Sequence, residues 1–254
     1  MRFNDRTVLV TGGSGGIGRE TCRRFAAEGA RVFVHYGTRE DEADTTLGLL
    51  GGGAPHAKVQ ADLQEADAIV AMVDHVVDTA GRIDILVNNA GIFERHPPAT
   101  TEVDAWRHAW GRTLGINLLG PAHASHRAAH HMIERGEGGT IVNVSSRGAF
   151  RGEPECPAYG ASKAGLNALS QSLAVALGSH GIHVFAVAPG FVETAMARPW
   201  LTGDQRTAME QQSPLGRVAE VGDVAHWILA LADPASAFAT GAIVDVNGAS
   251  YLRT

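Results

Sequence analysis

The sequence predicts an α/β fold: a doubly wound, roughly seven-stranded parallel sheet with helices on both faces. Three observations carry this. Short apolar runs rich in β-branched residues alternate with helix-period stretches from end to end. Those runs are continuous, as strands buried on both faces require. A glycine-rich turn, Thr11 to Gly18, joins the first run to the first helical pattern, where this class of fold exposes a helix N-terminus.

Val8-Leu9-Val10, Val32-Phe33-Val34, Ile85-Leu86-Val87, Ile141-Val142, Val184 to Val187 and Ile243-Val244 read as strands, and Ala57 to Gln60 as a weaker one. Ile69, Val73, Val76 and Ala80 share one helix face, as do Leu166, Leu169, Leu173 and Leu177, and later Val221, Val224, Ile228 and Ala232. Gly51-Gly52-Gly53 is expected to close the second helix as a turn. No repeat, low-complexity tract or linker divides the chain, so residues 1–254 are expected to form one domain. The segment 189–204 contains two prolines and follows the sixth strand, at the ligand-bearing edge, and reads as a mobile substrate lid.

With 254 residues, 44% of them hydrophobic and 19% charged, the chain can bury a substantial core. The net charge of −6 and the lack of a basic block argue against nucleic acid as a partner. No apolar run approaches membrane-spanning length, and Met1 to Val10 lacks a signal-peptide core. Cys22 and Cys156 make no disulfide framework; they read as a buried helix residue and a loop thiol. A cytoplasmic enzyme fits this composition.

The glycine turn lets the backbone approach a pyrophosphate, while the helix start supplies free N–H groups from Ser14 to Gly18. The spacing is G-x-x-x-G-x-G, from Gly12 through Gly16 to Gly18, a variant of the usual dinucleotide fingerprint. The second strand runs into Thr38 and Arg39 with no acid before Glu40. An acid there would repel a 2′-phosphate, whereas Thr38 and Arg39 can hold one, so NADP(H) is favoured and NAD(H) stays open. Asp62 can accept from an adenine amino group, and Asn88-Asn89-Ala90-Gly91 combines amides with small residues that let a cofactor pass closely.

Tyr159 and Lys163 stand four residues apart at the start of a helical segment, with Ser146 thirteen residues upstream of the tyrosine. That spacing puts phenol and ammonium on one face, where the cation favours phenolate. An unperturbed tyrosine titrates near ~10, so proton transfer at neutral pH needs such help. Ser146 can hold the oxygen that gains or loses the proton. The pair alone is equally an ordinary surface pair of a helix.

Together these residues resemble the short-chain dehydrogenase/reductase family over essentially the whole chain. The resemblance rests on Thr11 to Gly18, Asp62, Asn88 to Gly91, Asn117, Ser146, Tyr159, Lys163 and Pro189-Gly190 through Thr194. It implies a Rossmann-like sheet and hydride transfer to or from a nicotinamide. Tyr159 would be the general acid/base, Ser146 the donor to the substrate oxygen, and Lys163 the cation that tunes Tyr159 and bonds the nicotinamide ribose. Asn117 would hold a water relaying protons from Lys163, and Pro189, Gly190, Val192 and Thr194 would seat the nicotinamide. Gly12, Ser14, Gly16, Ile17, Gly18, Thr38, Arg39, Asp62, Asn89 and Gly91 would bind the rest of the cofactor. Members commonly form homotetramers through helices around 112–135 and 159–178; a homodimer is the simpler assembly. The match is to 3-oxoacyl-acyl-carrier-protein reductase-like members, so the substrate is a small-molecule or acyl-carrier-linked carbonyl compound. Two departures stand out: an apparent extra turn from Trp106 to Trp110, expected as a surface insertion, and Asn247-Gly248-Ala249-Ser250 near the end, expected to leave the chemistry untouched.

Other signals are weaker. His123, His126, His130 and His131 share a helix, but only Glu134 is near enough to complete a metal site, so no metal is expected. Arg147 and Arg151 can contact an anionic substrate or carrier, or be solvated loop arginines. Phe93, Phe150, Phe191, Met196 and Trp200 can wall an apolar pocket. The reading is an NAD(P)-dependent oxidoreductase interconverting a ketone and a secondary alcohol; the alternative is a dinucleotide-sensing regulatory or interaction protein on the same fold.

Overall fold

The computed structural model describes residues 1–198 and 201–253. Seven parallel strands, β1 (Thr7–Val10), β2 (Arg31–Tyr36), β3 (Ala57–Gln60), β4 (Ile85–Asn88), β5 (Gly139–Val144), β6 (Ile182–Pro189) and β7 (Ile243–Val246), form one sheet ordered β3-β2-β1-β4-β5-β6-β7. Among the described residues, eight α-helices connect or flank them: α1 (Gly16–Ala27), α2 (Glu40–Gly48), α3 (Ala66–Ala80), α4 (Val103–Leu114), α5 (Gly120–Arg135), α6 (Pro157–Leu177), α7 (Gly203–Glu210) and α8 (Val221–Ala232). The doubly wound sheet is as expected. Its order reverses between β1 and β4, and that switch point opens the crevice in which this fold binds ligands.

The central strands are buried on both faces because their residues alternate between two cores. Val8 and Val10 of β1 pack with Phe25 of α1 and Val224 and Ile228 of α8, whereas Leu9 between them packs with Ile69 and Val73 of α3 and Ala128 of α5. No described helix is long and apolar enough to cross a membrane.

Three expectations need correction. The leucine stripe of α6 is not its innermost face. Lys163, Leu166, Asn167, Ser170 and Ala174 are buried, while Leu169, Leu173 and Leu177 are only half-buried. Small and polar residues let α6 approach the sheet closely, so that Asn143 donates to Ser170 Oγ at 2.8 Å. Trp106 and Trp110 belong to an uninterrupted α4 and are half-buried against each other, with Trp106 also edge-on to His96. They are packing residues rather than a surface insertion. Finally, α2 ends at Gly48, before the glycine triplet, of which Gly51 alone takes a left-handed φ, of 75°.

At the amino edge of the sheet, Asp84 fastens β1 to β4 and α5. Its buried carboxylate accepts from the Thr7 N–H at 2.8 Å and from Arg82 at 2.6 and 2.8 Å, and pairs with Arg135 at 3.3 Å. Burial pushes this carboxyl up, but Arg82, the Thr7 amide and Arg135 outweigh it and hold it below the ordinary carboxylate range. Asp84→Ala should therefore lower unfolding stability at neutral pH by about 3–5 kcal/mol, read by denaturant titration. A depressed carboxyl contributes fully above its unfolded value near ~3.9 and loses that contribution as pH falls through its folded value. The gap between parent and variant should close at the acid end.

Candidate active site

The first turn of α1 has no side-chain cap, so its N–H groups open into a cleft of about 700 Å³ at the carboxyl edge of the sheet. Two glycines make the approach possible. Gly12 has a φ of 63°, and a Cβ at Gly18 would lie 2.2 Å from the Gly12 carbonyl oxygen. Asn89 donates to the carbonyls of Thr11 at 2.9 Å and Gly12 at 3.2 Å, so its amide braces the turn. Ser14, Gly16 and Ile17 line the cleft, and Thr194 reaches Gly16 from across it: a Cβ there would meet the Thr194 methyl carbon at 3.3 Å.

At the far end lie Thr38, Arg39 and Asp62. Arg39 arches over the glycine turn, with Nη2 3.9 Å from where a Gly15 Cβ would stand. Glu40, the first acid after β2, instead pairs with Lys58 at 2.9 Å. Asp62 is exposed and accepts from the Gln64 N–H at 2.9 Å. Gly91 is flat against the site: a Cβ would stand 3.3 Å from Asn117 Oδ1 and 3.4 Å from Lys163 Nζ. This glycine-lined floor, uncapped helix start and phosphate-sized cationic end fit a nicotinamide dinucleotide.

The cleft runs on to Ser146, Tyr159 and Lys163. Ser146 leaves β5 in extended geometry and caps the short 3-10 turn Arg147–Ala149, its Oγ accepting from the Gly148 N–H at 3.0 Å. Its hydroxyl also acts on the Tyr159 phenol, lowering its pKa. Pro157 opens α6, where its fixed φ and missing N–H cost nothing, and sets Tyr159 in the first turn. Phe93 meets the tyrosine ring edge-on at 4.7 Å.

Lys163 and Asn117 each have partners that the sequence does not show. Lys163 Nζ donates to the Val144 carbonyl at 2.8 Å and stands 5.8 Å from the centre of the Tyr159 ring. Burial pushes Tyr159 up to about 12; Ser146 pulls it down, while Glu153 and Cys156 push it further up. Burial likewise lowers Lys163 to about 8. Asn117 sits in a π-helical turn, Gly115–Leu119, and does not line the cleft. Its amide is committed: Oδ1 accepts from the Ile92 N–H at 2.9 Å, and Nδ2 donates to the Ile92 carbonyl at 3.0 Å and Ser162 Oγ at 3.2 Å.

Pro189, Gly190, Val192 and Thr194 line the cleft as expected. Pro189 is the last residue of β6, and Val192 forms a bridge with Ala219. Phe93, Phe191 and Met196 wall the cleft, but Phe150 does not; it lies under Arg253 at 4.3 Å. Trp200 and Pro199, within the expected lid, fall outside the described residues. Arg147 is not a solvated loop arginine. It is 3% exposed, donates to Ser250 Oγ at 2.6 Å and Gln212 Oε1 at 2.7 Å, and stacks on Phe191. The Asn247–Ser250 segment therefore reaches the loop that carries Ser146. Cys156 is wholly buried, and burial raises its thiol to about 11. No cluster that could hold a metal occurs among the described residues, and His126 and His130 stack at 4.6 Å on the exposed face of α5. Among the cleft residues that escaped sequence reasoning are His35 and Glu153. A histidine inside an apolar strand run was the one available signal for the first.

The profile of a protein family described as Enoyl-(Acyl carrier protein) reductase matches residues 12–249. The L-rhamnose 1-dehydrogenase (NAD(P)(+)) of Azotobacter vinelandii is 38% identical, covering 100% of this chain and 99% of its own. The 3-oxoacyl-[acyl-carrier-protein] reductase of Staphylococcus aureus is 34% identical over 97% and 98%. A solved short-chain type dehydrogenase/reductase from Mycobacterium ulcerans superposes with a TM-score of 0.90 at 30% identity, covering 98% of this chain and 91% of that one. These relatives favour the enzyme over a dinucleotide-sensing regulator. The chain belongs to the short-chain dehydrogenase/reductase family and is an NAD(P)-dependent oxidoreductase that interconverts alcohols and ketones.

Proposed function

We propose that Ser146, Tyr159 and Lys163 carry the proton half of this oxidoreduction, on a small secondary alcohol or ketone, with NADP(H) as the preferred cofactor. The observation that carries the reading is that Ser146, Tyr159 and Lys163 line one end of the same cleft that begins at the glycine turn. A bound nicotinamide dinucleotide supplies the hydride acceptor for alcohol oxidation and the donor for ketone reduction. Ser146 holds the substrate oxygen, whose proton passes to or from the Tyr159 oxygen. Lys163, held by Val144 beside Gly91, keeps a positive charge at the base of the site. Asn117 acts as a positioning residue that fixes Ile92 and Ser162.

Gly12, Ser14, Gly16, Ile17 and Gly18 are proposed to carry the pyrophosphate, Asp62 the adenine, and Pro189 to Thr194 the nicotinamide. Arg39 over the glycine turn, with Glu40 engaged by Lys58, supports a 2′-phosphate at the far end. Segment 189–204 is the proposed lid of a one-domain enzyme. An acyl-carrier-linked 3-oxoacyl group is the second substrate class, suggested by the staphylococcal relative. The exposed Leu119, Ile133 and Val175 support assembly of two or four copies through α5 and α6. Two buried free thiols suit a reducing cytoplasm.

Two substitutions test the assignment. Tyr159→Phe should lower kcat by roughly 100-fold or more while leaving the cofactor Kd, read by fluorescence titration, nearly unchanged. Retained turnover would refute the role of the phenol. Arg39→Asp should shift the NADP-to-NAD ratio of kcat/KM toward NAD by roughly 10- to 100-fold, the worth of a charge-assisted contact. An unmoved ratio would remove Arg39 from phosphate recognition.

A further inference from the structure

Glu153 is the acidic side chain that lines the reaction end of the cleft with Ser146 and Tyr159. It lies in the loop between β5 and α6, and its side chain is 18% exposed. Two glycines shape its slot. A Cβ at Gly148 would stand 2.8 Å from Glu153 Oε1, and one at Gly160 would meet the Glu153 stem at 3.8 Å. Arg151 Nε lies 3.6 Å from Oε1, an ion pair with a long contact. The other carboxylate oxygen takes no hydrogen bond among the described residues. Arg147 faces Glu153 electrostatically, but its hydrogen bonds go to Ser250 and Gln212.

We propose that Glu153 selects the substrate by accepting a second hydroxyl beside the reacting carbon, so that the enzyme acts on vicinal polyols or sugars and their oxo forms. The inference rests on the alcohol–ketone reading of the same site. A half-desolvated carboxylate with an unused oxygen is poorly matched to a carboxylate or an alkyl chain, and well matched to a neutral hydroxyl donor. The charge has a second effect: an anion beside Tyr159 disfavours the phenolate that alcohol oxidation requires. The groups facing the phenol are Ser146, Glu153, Cys156 and Lys163, and those facing Glu153 are Arg147 and Arg151. Glu153 and Cys156 both push the phenol up, Glu153 more strongly, and Glu153 is the one of the two that also lines the cleft.

The test compares matched alcohols, cyclohexanol with cis-1,2-cyclohexanediol and 2-butanol with 2,3-butanediol, using NADP and NAD. The parent should prefer each diol in kcat/KM by roughly 10-fold or more, the worth of one hydrogen bond to a charged acceptor. Glu153→Ala should collapse that preference, and Glu153→Gln should retain part of it. Both variants should move the rising limb of the oxidation profile, where the phenolate forms, to lower pH. Equal use of mono-ol and diol by an active parent overturns the proposal while the alcohol–ketone reading stands. Turnover of no secondary alcohol or ketone overturns that reading instead. An activity-free readout then decides the role of Glu153: with three tyrosines in the chain, the tyrosinate absorbance that Tyr159→Phe abolishes can be assigned. Its midpoint should fall in Glu153→Gln, and an unchanged midpoint overturns the proposal.

Discussion

A single imidazole holds the carboxyl edge of this sheet in register. Gly12 donates its N–H to His35 Nδ1 at 2.9 Å, so that nitrogen carries no proton. The proton therefore sits on Nε2, 3.1 Å from the Ala61 carbonyl, and is donated to it. The backbone of the same histidine accepts from Gly13 at 3.0 Å. One ring thus ties the glycine turn after β1 to the exit of β3, with β2 between them. Burial lowers its pKa to about 4, which keeps it neutral and the clamp intact at physiological pH. The first turn of α1, the floor at Gly91 and the arch of Arg39 all refer to the position of that turn.

The reaction end is held by a different economy of charge. Tyr159 and Lys163 both lose water on folding, and each moves toward its neutral form, the phenol upward and the ammonium downward. The short i, i+4 separation suggests a pre-ionised pair, but distance along a helix says nothing about which acceptor the ammonium prefers. Val144, at the end of β5, offers a carbonyl that the sequence does not advertise. The phenol is shifted first by burial, then by Ser146 and Glu153, both from the β5–α6 loop.

The strands, the glycine turn and the Ser146–Tyr159–Lys163 set were legible because each is written over short stretches of chain. Continuous β-branched runs mark strands covered on both faces, and positive-φ positions leave little choice but glycine. The α6 leucine stripe misled because hydrophobic periodicity assumes that the largest apolar residues face inward. Here closeness to the sheet is worth more, and Ser170 and Asn167 are inside while Leu169 is at the flank. Glu153, His35 and the partners of Arg147 were illegible for another reason. Their roles are set by loops meeting across the fold, as when Arg147 finds Ser250 from the opposite end of the chain.

The π-helical turn at Gly115–Leu119 has a consequence for how this chain can change in length. A π turn accommodates one residue more than an α turn would, and α5 continues directly from it. Deleting that one residue would restore α geometry and leave the faces of α5 in place, whereas deleting a second would turn everything downstream by about 100°. Ala124, Ala128 and Met132 would leave the core, and Ser125 would lose its bond from Asn88. The extra residue of the turn is therefore the one length change that α4 and α5 can absorb, while any further insertion or deletion between them is barred by packing a full helix away.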